Sequence, residues 1–135
     1  MKRPSPLALV LLLTVPVVFI MQTPPAQSDS EKSNSLLRHV VLLKFQDSVS
    51  DEKITEVAEA FSELPKKIEE IHDFEWGLEN SPESLSKGFT HCFLVTFKSE
   101  EDREAYLPHA AHQEFVKLVT PVVADVLVVD YWTGK

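Results

Sequence analysis

Apolar residues recur along Leu37–Trp132 with two different periods, and the switches between them mark out the elements. Leu37–Phe45 is short, rich in β-branched and apolar residues, and bounded by polar segments, which predicts a first strand. His39, Val41, Leu43 and Phe45 share one parity and Val40 and Leu42 the other. A strand apolar on both faces needs cover on both. Ile54, Val57, Ala58, Phe61 and Leu64 then follow at helical spacing opposite Glu52, Glu56, Glu59 and Glu63, which read as a solvated face. Ser50 is the expected cap, and Pro65 ends this helix near Leu64.

Period two returns in Ile71–Asn80, with Phe74, Trp76 and Leu78 on one face, and in Phe89–Lys98, with His91, Phe93, Val95 and Phe97 on one face. The turn formers of Asn80–Gly88 join these two strands as a hairpin. Ser99 with Asp102 starts a second helix that runs to about Leu107, where Pro108 breaks it. A third helix is expected over His109–Val119, and a last strand over Ala124–Trp132. The order β-α-β-β-α-α-β is the ferredoxin-like pattern of the α+β class. It predicts a four-stranded antiparallel sheet with helices on one face. The other face carries Val, Leu and aromatic side chains, and a two-fold homodimer packed sheet to sheet would cover it.

The first 35 residues lack this pattern. Lys2 and Arg3 precede an uncharged, largely apolar run over Pro6–Met21, the layout of an export signal. The run is short for a membrane span, which needs about 20 residues. The best cleavage point follows Ala26 but has Pro24 where a small residue is wanted, so the alternative is an uncleaved membrane anchor over residues 6–21. The expected organisation is an export segment over 1–26, a flexible tether over 27–35 and one domain over 36–135. The expected location is the periplasm or the extracellular space.

The chain has 13 Lys/Arg and 21 Asp/Glu, of which three and two precede Leu36, so the domain carries 10 and 19 and a formal charge of −9. Nucleic acid and anionic lipid surfaces both reward clustered cations, so neither is an expected partner. Cys92 is the single cysteine and is expected as a small core or interface side chain. Three glycines and no glycine-rich phosphate loop leave nucleotide binding unsupported, and no cofactor is implied.

Chemistry concentrates in Ala105–Phe115. Tyr106, His109 and His112 fall within seven residues, and the two histidines are spaced to share a helix face. A neutral imidazole can act as a general base near pH 7, which suits His112, and Tyr106 can donate to a developing oxyanion. His109 and His112 could also hold a metal, but no H-E-x-x-H or cysteine ligand accompanies them, so metal is not expected. His72 reads as surface, and Trp76 and Trp132 as packing anchors.

Several blocks together resemble the Dabb family of stress-responsive dimeric α+β barrels. They are Leu37–Phe45, Trp76-Gly77, Gly88–His91, Tyr106–His112 and Asp130-Tyr131, in the family's order. The resemblance implies a dimeric α+β barrel. In a plant polyketide cyclase of this family a Tyr and a His matching Tyr106 and His112 carry aldol chemistry, and pocket residues match His39, His91 and Asp130. The cyclase has a pocket tyrosine where this chain has Phe61. The resemblance thus implies one pocket between the sheet and the second and third helices, with His112 and Tyr106 catalytic and His39, His91, Asp130 and His109 supporting. Its ligand would be a small apolar or carbonyl compound. Two function classes follow. One is a cofactor-free, lyase- or cyclase-like enzyme. The other is a non-catalytic stress or ligand-binding protein, with the same polar groups satisfying one another in the core.

Overall fold

A computed structural model describes residues 35–134. The expected export segment and residues 27–34 of the tether lie outside the described residues. Four strands, β1 (Leu37–Phe45), β2 (Asp73–Leu78), β3 (His91–Phe97) and β4 (Val123–Trp132), form one sheet in the order β2-β3-β1-β4. Each neighbouring pair is antiparallel. Helices α1 (Asp51–Ser62), α2 (Glu100–Tyr106) and α3 (Ala110–Val119) accompany them. This is the α+β, ferredoxin-like arrangement the patterning implies.

The two capping serines behave as their positions require. Ser50 Oγ accepts from Lys53 N–H at 3.3 Å, and Ser99 Oγ accepts from Asp102 N–H at 3.1 Å. α1 stops at Ser62, two residues before the expected end, and Leu64–Lys66 continues as a short 3₁₀ turn. Pro65 has no N–H to extend the α-helical ladder. Pro108 ends α2 in the same way, because Leu107 before it keeps helical angles (φ −58°, ψ −46°). His109 is not the first residue of α3 but its cap, with Nδ1 accepting from Ala111 N–H at 3.1 Å. The hairpin strands are shorter at both ends than expected, since Ile71-His72 and Phe89-Thr90 belong to the connections.

The core lies between the helices and the odd-numbered side chains of β1 and β3. Leu37, Leu43, Phe93, Val95 and Phe97 are all almost fully buried there. Phe61 of α1 sits at its centre, with ring centroids 4.4 Å from Phe93, 4.4 Å from Phe115 and 5.5 Å from Phe74. Four aromatic rings packed this way contribute more than their area alone, by about 0.5–1.5 kcal/mol per good pair.

Among the described residues no helix covers the opposite face of the sheet. Register places three rows across it: Asp73, Thr96, Arg38 and Tyr131; then Glu75, Leu94, Val40 and Val129; then Gly77, Cys92, Leu42 and Leu127. The middle of this grid is apolar, the β2 side acidic, and Arg38 donates to Thr96 Oγ1 at one end. Cys92 is exposed here, so it is not a core side chain. The middle of β4 is exposed on both faces, with Val126 and Val128 on the helix side and Leu127, Val129 and Tyr131 on the other, while Val123 and Trp132 pack on the core.

Candidate functional site

The turn between α2 and α3 brings two elements of the site together. α2 ends with Tyr106, Leu107 and Pro108 make the bend, and His109 N–H closes it on Tyr106 O at 3.1 Å. One turn into α3, His112 folds back over the bend. Its Nδ1–H donates to Leu107 O at 2.8 Å, and Gln113 Nε2 donates to the same carbonyl at 2.7 Å. A carbonyl only accepts, so the proton of neutral His112 sits on Nδ1 and the Nε2 lone pair is free. The His112 and Tyr106 rings lie 4.3 Å apart between centroids.

β1 and β4 supply the floor. His39 and Asp130 are direct register partners on the helix side of the sheet. His39 Nδ1–H donates to Asp130 Oδ1 at 2.7 Å. The His39 ring meets Tyr106 edge to face at 5.9 Å and Phe97 at 6.3 Å. Arg103 of α2 donates from Nη1 to the other oxygen, Asp130 Oδ2, at 2.7 Å. Tyr106, His112, His39 and Asp130 therefore form one cluster, with Arg103 beside it. Arg103 was not among the expected residues. Its position one helical turn before Tyr106 is the signal the sequence carried, because residues three apart share a helix face.

His91 does not join them. It pairs with Leu43, whereas His39 pairs with Val95, so the two histidines are four residues apart along the sheet, about 13 Å at 3.3 Å per residue. His91 instead stacks on Trp76 (6.1 Å, 4° between planes), meets Phe45 edge to face at 5.1 Å, and contacts Thr90 Oγ1 through Nδ1 at 2.9 Å. The expectation that His91 shares the pocket of Tyr106, His112, His39 and Asp130 is therefore corrected. His109 takes the capping role described above. Phe61 lies near the cluster through Phe115, which is three residues beyond His112 on α3, and it brings no hydroxyl.

Burial sets the protonation states. It lowers the His112 imidazole below its ordinary value; the Leu107 carbonyl opposes this, and His39 and His109 add to it. His112 is thus neutral at pH 7. Burial also drives the Tyr106 phenol well above the usual range, so it is a donor at any physiological pH. Tyr106 is 0 % exposed, and among the described residues its hydroxyl has no hydrogen-bond partner. A buried hydroxyl without a partner costs about 1–3 kcal/mol.

Fold and site together describe an α+β domain with a cluster of titratable side chains under its helices. The chain belongs to the Dabb family, the stress responsive A/B barrel domain, which it matches over residues 37–133. It is 40% identical over 101 residues to the stress-response A/B barrel domain-containing protein HS1 of Arabidopsis thaliana, covering 75% of this chain and 93% of that protein. It is 28% identical over 99 residues to olivetolic acid cyclase of Cannabis sativa, covering 73% and 98%. Among solved structures, the Arabidopsis thaliana protein At3g17210 matches with a TM-score of 0.67 and 41% identity over 70% of this chain and 92% of that one. A dimeric ferredoxin-like protein of unknown function from Bacteroides fragilis matches with a TM-score of 0.58 and 28% identity over 71% and 94%.

Proposed function

We propose that this chain is an exported, homodimeric stress-response A/B barrel protein in which His112 and Tyr106 move protons on a small carbonyl compound, as a cofactor-free lyase- or cyclase-like enzyme. The observation that carries this reading is the Tyr106 hydroxyl. It is buried and unpartnered in the described residues, and His112 stands ring to ring with it. A fold with no use for that hydroxyl gains by replacing it with a phenyl edge. A ligand oxygen beside it would satisfy it.

In the reaction, His112 Nε2 removes a proton from the carbon next to the carbonyl, and the C–H electron pair moves into an enolate. The Tyr106 O–H donates to the enolate oxygen as charge builds there. The enolate carbon then forms a C–C bond to a second carbonyl, whose oxygen takes the proton back from His112. The lyase direction runs these steps in reverse. The fixed Nδ1–H···O bond to Leu107 steadies the imidazole throughout. General-base catalysis of this kind is worth about 10²–10⁴-fold.

Two further supports concern assembly and location. The bare, centrally apolar sheet face is what a two-fold partner would cover, and a solved relative of this fold is described as dimeric. A groove of about 690 Å³ lies on that face between the sheet and the β2–β3 connection, lined by Val40, Leu42, Leu94, Leu85, Phe89 and Tyr131 among others. Export rests on the charged start and apolar run of residues 1–21.

The test is exchange of α-protons for deuterium in D₂O, followed by proton NMR on a panel of methyl ketones and 1,3-dicarbonyls. The wild type is expected to accelerate exchange of at least one member, and His112→Ala and Tyr106→Phe are each expected to lose that acceleration. Compounds that bind and shift side-chain resonances while exchanging at the buffer rate would establish the non-catalytic binder instead.

A further inference from the structure

Asp130 sits in an unfavourable place for a positioning carboxylate. β4 is an edge strand whose middle is exposed on both faces, and the Asp130 side chain is 26% exposed. An unheld carboxylate on such a strand gains hydration by turning outward. Yet Asp130 points inward, with Oδ1 on the buried His39 and Oδ2 on Arg103, each at 2.7 Å. Arg103 comes from α2, so its contact ties the helix that carries Tyr106 to the strand that carries Asp130.

The two bonds have different consequences. The His39 contact uses the one ring hydrogen that a neutral Nδ1–H tautomer has, which directs the Nε2 lone pair away from Asp130. The Arg103 contact compensates the carboxylate's charge and gives its second oxygen a charged donor. Charge-assisted bonds of this kind are about twice as strong as neutral ones. The chain Arg103–Asp130–His39 then ends against the Tyr106 ring at 5.9 Å.

We infer that Arg103 is a positioning residue: by clamping Asp130 it fixes the tautomer and orientation of His39 beside Tyr106. The inference rests on the reading of the Tyr106–His112 cluster as a proton-transfer site. Arg103 acts through Asp130 and His39. Lysine in its place would keep the charge but offer a single point of contact rather than a planar fork.

The experiment uses ¹⁵N-labelled protein and long-range ¹H–¹⁵N correlation of the imidazoles at pH 7, with His39 assigned by its loss in His39→Gln. In the wild type the neutral form of His39 is expected to carry its proton on Nδ1, with Nε2 bare. In Arg103→Gln the His39 pattern should move toward a mixture of tautomers while His112, held by Leu107, keeps its own. Arg103→Lys should restore most of the wild-type pattern. Asp130→Asn provides a second route to the same change should the Gln variant fold poorly. In α-proton exchange, Arg103→Gln should lower kcat at least tenfold and change KM less than twofold, with recovery in Arg103→Lys. An unchanged His39 spectrum in both Arg103→Gln and Asp130→Asn would overturn the inference, whatever the activity. A His39 tautomer that follows residue 103 in a protein showing no exchange activity would uphold the clamp and refute the proposed reaction, so the two can fail separately.

Discussion

Tyr106 and His112 face each other across the Pro108 bend with 4.3 Å between ring centroids, and Tyr106 is the more deeply buried of the two. The bend makes this possible. α2 delivers Tyr106 at its last residue, and α3 delivers His112 one turn after its start. Neither helix alone would place a phenol beside an imidazole.

The first prediction is a pH dependence. Burial lowers His112 and His91 below the ordinary histidine value near 6.5. Between their lowered values and 6.5 the unfolded chain binds more protons than the folded one, so stability rises with pH there. The contribution is fully present above 6.5 and is lost as pH falls through the folded values. Urea midpoints measured from pH 7.5 to 5 should therefore decline, and His112→Gln should flatten part of that decline. Exchange activity should hold at neutral pH and fall on acidification as His112 becomes charged.

The second concerns the bare face. Val129→Glu puts a carboxylate in the middle of the apolar rows. Sedimentation velocity at micromolar concentration should show a wild-type dimer and a monomeric or unfolded variant, because an unpaired charge buried in an interface is strongly penalised. A wild type that sediments as a monomer removes the homodimer from the proposal.

Phe61 carries the third. Its ring is 1% exposed and packed by Phe74, Phe93 and Phe115. Phe61→Ala should cost about 3–5 kcal/mol in chemical unfolding. Phe61→Tyr should cost about 1–3 kcal/mol, since its hydroxyl would enter an aromatic core. A neutral Phe61→Tyr would mean that polar space reaches this position after all.

Much of this was legible in the chain, for definite physical reasons. Period-two alternation fixes which face each strand residue takes, so His39 and Asp130 could be placed on the same side as Val41 and Val128. What alternation cannot give is position along the strand relative to a neighbour. His91 has the right parity but pairs with Leu43, at the other end of the sheet from His39. No hairpin joins β1 to β3, so their register comes from tertiary packing, which alternation does not report. Arg103 was missed because a charged residue on a short helix ordinarily faces water. Its partner lies 27 residues away on a strand, and only the tertiary arrangement brings them together.

The fourth prediction follows from the N-terminal pattern. A chain lacking Met1–Ala26 should fold with the same thermal midpoint as the processed full-length protein and no longer be exported. Full-length protein that resists carbonate extraction from membranes would favour the anchor over the cleaved segment.

The central claim is that the Tyr106 hydroxyl is kept for a ligand rather than for the fold, and Tyr106→Phe tests it most directly. Urea unfolding of the ligand-free wild type and variant measures what the hydroxyl does for stability. The variant is expected to be as stable as the wild type or more stable, by up to about 1–3 kcal/mol, because the substitution removes a buried group with no partner among the described residues. A loss of about 1 kcal/mol or more would show that the hydroxyl is already bonded within the folded protein, and would contradict the claim.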